Sequence, residues 1–222
     1  SPSPWHPFRP GRGPVVTYAL ILANLAIFAL EVRATDPERF VASFATIPYD
    51  VAHRLTLPPP SPPDAYLTLL SAQFVHAGAF HLISNLLVLY AFGPLVEAAT
   101  GHLRYLFLYL LCGVAGNVAE VLVMPGSHVP SIGASGAIAG VLGAYLTLFP
   151  TRPLFWRIPA VLVIGAWAAT QFVSGFGAVS PAALPAQAGG VAYFTHIGGF
   201  LCGIIAIGPL RRREVAAGAA RY

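Results

Sequence analysis

The chain has 222 residues, 56% of them hydrophobic and 9% charged, with a mean hydropathy of +0.71; soluble chains carry roughly 25% charged residues. So much apolar side chain exceeds what a core can hide, which excludes a soluble domain, and the length allows about six membrane spans with short loops. The formal charge of +4 comes from arginine alone, because there is no lysine, and that removes Ser/Lys proteases and Schiff-base chemistry. Cys112 and Cys202 lie in apolar runs and read as small hydrophobes, so no disulfide scaffold is expected.

In chain order, SPSPWHPFRPGRGP has no cleavable-signal pattern, and residues 13–31 form the first expected span. A polar, proline-rich stretch over 31–66 (EVRATDPERF, then LPPPSPPD) is too long for a turn and reads as a large external loop. Span two covers 80–97, closed by Gly93, Pro94 and Glu97, and span three covers 103–124. The proline-bounded MPGSHVPSIGASG leads into span four, 135–149, which stops at Pro150. Residues 158–210 are 53 residues without a formal charge, about 80 Å as one helix, more than twice a hydrocarbon core of about 30 Å. The chain must fold back there. The break is expected in GFGAVSPAALPAQAGG, 175–190, between span five (156–174) and span six (191–210). The expected fold class is an all-α membrane protein, a single six-helix bundle over 1–222.

Nine arginines (Arg9, Arg12, Arg104, Arg152, Arg157, Arg211, Arg212, Arg213 and Arg221) fall on one side of this topology. Three (Arg33, Arg39 and Arg54) fall on the other, beside Asp36, Glu38, Asp50 and Asp64. The positive-inside rule then expects both termini in the cytoplasm. Topology accounts for the basic tail, and no nucleic-acid partner is expected.

Polar side chains within spans are expensive in lipid, so those that persist point to function or to interhelical hydrogen bonds. Asn24, Asn117, Glu120 and Gln171 read as helix-to-helix hydrogen bonds. His81, Asn85, Ser135 and His196 differ because their depths agree. Ser135 lies 14 residues before Phe149 and His196 lies 14 before Leu210, each about 21 Å from the cytoplasmic end. On span two, His81 and Asn85 lie 16 and 12 residues before Glu97, about 24 and 18 Å, and share a helix face. Four polar groups from three helices can therefore meet about 9 Å below the outer edge of the core.

Serine between glycines in a membrane helix is most often a packing residue. Gly133-Ala134-Ser135-Gly136, however, sits where an irregular loop enters a helix, and such backbone at membrane depth is tolerated only when buried in protein or lining a water-filled cavity. The helix that starts there aims its positive dipole end and unpaired N–H groups at the serine. His196 is the only His, Asp, Glu or Arg in 158–210, and at this depth it suits the base that takes the serine proton. No carboxylate lies deep enough to be a third member. The expectation is a Ser/His dyad whose imidazole is oriented by helix packing. Small residues bring the two helices close: Ser135, Ala139 and Gly143 form one stripe of span four and Gly136 and Gly140 the next, while Gly199 and Gly203 share the His196 face.

No metal and no cofactor are expected. There is no HExxH, and His76 and His81, five apart, would diverge on a helix. Aspartyl intramembrane chemistry is excluded because no aspartate lies in a span.

The motifs together resemble the rhomboid intramembrane serine proteases, with a match spanning roughly 13–210. HAGAFHLISNLLVLYAFGPLVE is similar to that family's second-span signature, with His81 and Asn85 as its HxxxN pair. SIGASGAIAGVLGAYLTLFP is similar to the nucleophile segment, and THIGGFLCG to the last-span histidine segment. The resemblance implies Ser135 as nucleophile, His196 as general base and then acid, and an oxyanion held by the Ser135 N–H, His81 and Asn85. It also implies cleavage of single-span membrane proteins near the outer face of the bilayer, with span five at a lateral gate.

Three departures stand out. His53-Arg54 replaces the Trp-Arg pair of many members, Ala139 stands where some bacterial members carry an aromatic ring against the histidine, and Thr195 stands where alanine is common. The competing expectation is a catalytically silent relative that binds transmembrane helices, or a small transporter; retention of both Ser135 and His196, and the lack of internal repeats, speak against it. A bacterial inner membrane is the expected location, since neither a transit peptide nor a seventh span is seen.

Overall fold

The computed structural model describes residues 13–154, 157–178 and 192–211. Most of the expected break at 175–190, and Arg9, Arg12, Arg212, Arg213 and Arg221, lie outside the described residues. Helices α1 (Val15–Arg33), α2 (Pro37–Phe44) and α3 (Pro48–Ala52) come first, and a 3-10 turn at Ala65–Leu67 leads into α4 (Thr68–Ser71). Then follow α5 (Ala79–Thr100), α6 (His102–Val123), α7 (Ser135–Leu148), α8 (Ala160–Ala178) and α9 (Tyr193–Leu210).

By length and composition α1, α5, α6 and α9 can each cross a membrane, and α7 and α8 add shorter apolar stretches. Around an apolar core, large apolar side chains also face outward, unlike the surface of a soluble protein. Leu22, Leu87, Leu103, Leu122, Val173 and Ile205 are exposed, while Asn24, Gln73, Asn85, Glu97 and Asn117 are buried. Lipid is the solvent that makes this arrangement favourable, and the chain is a multi-pass membrane protein.

Helix α7 is the central post. Residues 136–145 are buried without a break, as expected of a helix apolar on every side. Its 14 residues measure about 21 Å, shorter than a hydrocarbon core of about 30 Å. Glycines let α9 lie directly on it: a Cβ on Gly199 would overlap the Gly136 carbonyl, and one on Gly203 the Gly140 carbonyl.

The start of α1 is satisfied from another helix. Val16 N–H donates to Glu97 Oε1 at 2.9 Å, while Thr17 donates its N–H at 2.8 Å and its hydroxyl at 2.7 Å to Glu97 Oε2. His102 Nδ1 lies 2.6 Å from Glu97 Oε1. A buried carboxylate thus caps a helix whose own N-cap, Pro14, offers no side-chain acceptor.

Some boundaries differ from expectation. Helix α5 runs through Pro94 to Thr100, because a proline removes only one intrahelical hydrogen bond when neighbouring helices hold the segment; the stop comes at Gly101, whose φ of +89° suits glycine. Helix α8 begins at Ala160, after Pro159, and continues past Gly175 to Ala178. The loop after α1, expected to be external, contains α2, capped by the Asp36 carboxylate accepting from Arg39 N–H at 2.9 Å, and α3.

Candidate active site

The loop before α7 descends into the bundle, so every polar backbone group on it needs a partner. Thr46 and Ser131 exchange backbone hydrogen bonds of 3.0 and 2.8 Å, and Gly133 N–H donates to the Ala72 carbonyl at 2.8 Å. The Ser131 hydroxyl lies 3.0 Å from Asn117 Oδ1 and 3.0 Å from the Thr195 hydroxyl, and Asn117 Nδ2 donates to the Leu69 carbonyl at 2.9 Å. Thr195, which looked only like a departure from alanine, therefore ties the loop to α9. Its N–H donates to Glu120 Oε2 at 3.2 Å, so α6 holds the start of α9 one residue before His196.

These supports bring Ser135 and His196 together. His196 Nε2 lies 2.8 Å from Ser135 Oγ, a hydrogen bond between the first turn of α7 and the first turn of α9. As the first residue of α7, Ser135 has a backbone N–H with no intrahelical acceptor. His196 Nδ1 lies 2.7 Å from Gln171 Oε1 on α8. The indole of Trp167, one turn earlier on α8, sits 6.1 Å from the imidazole at 40°. Helix packing alone was expected to orient the ring; instead an amide and an indole from a third helix contact it.

His81 and Asn85 face the same loop. Gly133, with φ of +102°, presents no side chain to them, and a Cβ there would stand 2.7 Å from His81 Cε1 and 2.8 Å from its Nε2. Asn85 Nδ2 would be 3.6 Å from that Cβ, and it donates one hydrogen to the His81 carbonyl at 3.0 Å. Both side chains thus lie against Gly133, two residues before Ser135, and His81 shares the cavity wall with Ser135. Ala139 is fully buried, and Gly136, Gly140 and Gly143 abut Thr195, Cys112 and Phe200.

His76 is a participant that the sequence concealed. It lies five residues before His81, and the two would diverge on a helix; because α5 begins only at Ala79, His76 lies in the preceding loop and the two rings meet edge to face at 5.1 Å. Its N–H donates to Glu31 Oε2 at 3.2 Å, and its Nε2 accepts from Ala134 N–H at 3.4 Å. Burial, with His81 beside it, holds the His76 imidazole down at about 4, which keeps it neutral and able to accept. Among the described residues no three His, Cys, Asp or Glu side chains gather as a metal site.

Glu31, His76, His81, Ser135, Thr195 and His196 line a cavity of about 800 Å³, walled otherwise by mostly apolar residues of α1, α2 and the loops before α5, α7 and α9, with Glu38 among them. The Ser135 hydroxyl, bonded to the His196 imidazole at the first turn of α7, opens on this space, the arrangement in which an imidazole can take a proton from a hydroxyl nucleophile.

A Rhomboid domain model matches residues 63–213, well over half of the chain. The chain is 35% identical over 154 residues to the rhomboid protease GluP of Bacillus subtilis, covering 68% of this chain and 28% of that protein. It is 33% identical to the chloroplastic rhomboid-like protein 11 of Arabidopsis thaliana (64% of this chain, 52% of that one). To the mitochondrial rhomboid protein 1 of Saccharomyces cerevisiae it is 27% identical (86% and 51%). This chain spans about half or less of the length of these relatives. With the family model matched from the loop before α4 to the end of α9, the chain belongs to the rhomboid family.

Proposed function

We propose that the chain is an intramembrane serine endopeptidase that cuts single-span membrane proteins in the outer part of the bilayer. The observation that carries this reading is the 2.8 Å approach of His196 Nε2 to Ser135 Oγ inside an apolar bundle. In the proposed reaction Ser135 Oγ attacks the scissile carbonyl carbon and its proton passes to His196 Nε2. The oxyanion accepts hydrogen bonds from the Ser135 N–H, His81 and Asn85. His196 then gives the proton to the leaving amine, and water repeats the cycle on the acyl ester. A peptide bond within a helix is shielded, so a substrate segment must unwind before it reaches the cavity.

The proposal includes six crossings with both termini in the cytoplasm, supported by the arginine asymmetry. It also includes a bacterial inner membrane, although relatives named chloroplastic and mitochondrial mean that family membership supports a membrane and no particular one. The test is incubation of purified protein, reconstituted in liposomes, with a panel of single-span proteins, the cut sites being mapped by mass. Cuts clustered in the outer part of the span are expected. Absence of cleavage across the panel, with no labelling of Ser135 by a fluorophosphonate, would favour a helix-binding role without catalysis.

A further inference from the structure

We infer that Gln171 is the positioning residue for His196, an acceptor on α8 that fixes the imidazole in the tautomer able to take the Ser135 proton; this rests on the protease reading above. To act as base, His196 must present a lone pair at Nε2, so Nδ1 must carry the hydrogen. Half-buried among helices, that N–H is held in one direction by a protein acceptor, and Gln171 Oε1 stands 2.7 Å away.

The direction of each hydrogen bond follows from the next. The Thr170 hydroxyl donates its only hydrogen to the Trp167 carbonyl at 2.6 Å, so towards Gln171 it can only accept. Gln171 Nε2 fills that role at 3.2 Å. The amide must then turn Oε1 towards His196, which puts the hydrogen on Nδ1 and leaves Nε2 free to accept from Ser135 Oγ at 2.8 Å. The polarity runs unbroken from a helix carbonyl to the nucleophile. No proton moves onto Gln171: Nδ1–H stays donated to Oε1 while Nε2 gains and returns the serine proton.

An amide also suits the depth. A carboxylate there would supply the same acceptor to the folded site but at a cost in folding stability, being an ionised group in hydrocarbon whenever His196 is neutral, whereas an amide oxygen supplies it without a charge. Trp167 and Gln171 are four residues apart and share one face of α8. Together they occupy the role left open by Ala139, one from the ring face and one from its Nδ1 edge.

The test compares wild type with Gln171→Met, equal in length but without a comparable acceptor, and Gln171→Glu, which keeps an acceptor oxygen at the same reach. Cleavage of a reconstituted single-span substrate gives kcat and KM, and fluorophosphonate labelling reports Ser135 reactivity without substrate binding. Gln171→Met is expected to lower kcat and labelling rate by about 10- to 100-fold, the range seen when the hydrogen-bond partner that orients a metal-bound imidazole is removed. KM should be unchanged, and Gln171→Glu should recover most of the loss. Wild-type kcat in Gln171→Met, an effect confined to KM, or failure of Gln171→Glu to recover a loss seen in Gln171→Met would overturn the assignment. Should the methionine variant not fold, nitrogen NMR of wild type against His196→Ala decides: a hydrogen on Nδ1 is expected, and one on Nε2 refutes it. A wild type that does not cleave defeats the protease reading, whereas Ser135-dependent cleavage undiminished in Gln171→Met defeats only the role of Gln171.

Discussion

Gly199 of α9 rests on the carbonyl of Gly136 of α7, so close that a Cβ would overlap backbone that cannot move independently of its helix. Each glycine sits within one turn of the residue it serves, Gly136 next to Ser135 and Gly199 one turn after His196. The 2.8 Å hydrogen bond between those side chains depends on this approach. Gly208, on the same helix, has nothing within 4 Å of its Cβ position.

Gly199→Val is therefore expected to force the helices apart by about 1 Å or more, a misplacement that can cost about 10²-fold in rate. Gly208→Val should stay close to wild type. Turnover of the two variants, measured on protein that passes a thermal-unfolding check, decides; equal activities would contradict the packing account.

His81→Ala and Asn85→Ala should each leave residual activity, because the Ser135 N–H remains. Loss of one oxyanion donor typically costs about 10² to 10³ in rate, and the effect should fall on kcat. A change in KM alone, in steady-state kinetics on a single-span substrate, would remove that residue from the oxyanion role.

Glu97→Gln tests stability apart from chemistry. The carboxylate accepts from Val16 N–H, Thr17 N–H and the Thr17 hydroxyl, and an amide has one oxygen for them. A buried donor left unpaired costs about 1–3 kcal/mol, so the unfolding temperature should fall. Glu97 is about 18 Å along α5 from Asn85, so activity of the folded variant at low temperature should be near normal. An unchanged melting curve would show that α1 is not anchored through Glu97.

The sequence exposed those polar groups of the candidate site that are chemically conspicuous in lipid. Ser135, His196, His81 and Asn85 stand out because polar groups at a common depth are rare and helix rise converts spacing into depth. Gln171 was visible as a polar residue in a span but not as a partner of His196, since the two lie 25 residues apart and nothing in the spacing sets the rotation of α8 about its axis. His76 was hidden for a local reason: five residues separate it from His81, and only the start of α5 at Ala79 shows that they do not share a helix. Pro94 misled because a proline ends a helix more readily in water than in a packed bundle. Thr195 and Glu120 act through loop and helix-end contacts, which periodicity does not report.

The central claim is that Ser135, activated by His196, is the nucleophile. The most direct measurement is cleavage of a reconstituted single-span substrate by wild type, Ser135→Ala, His196→Ala and the double variant, all matched for folding. Both single variants should lose detectable proteolysis, with the double variant no worse than either, because residues acting as a unit are not additive. Clear cleavage by Ser135→Ala would contradict the account.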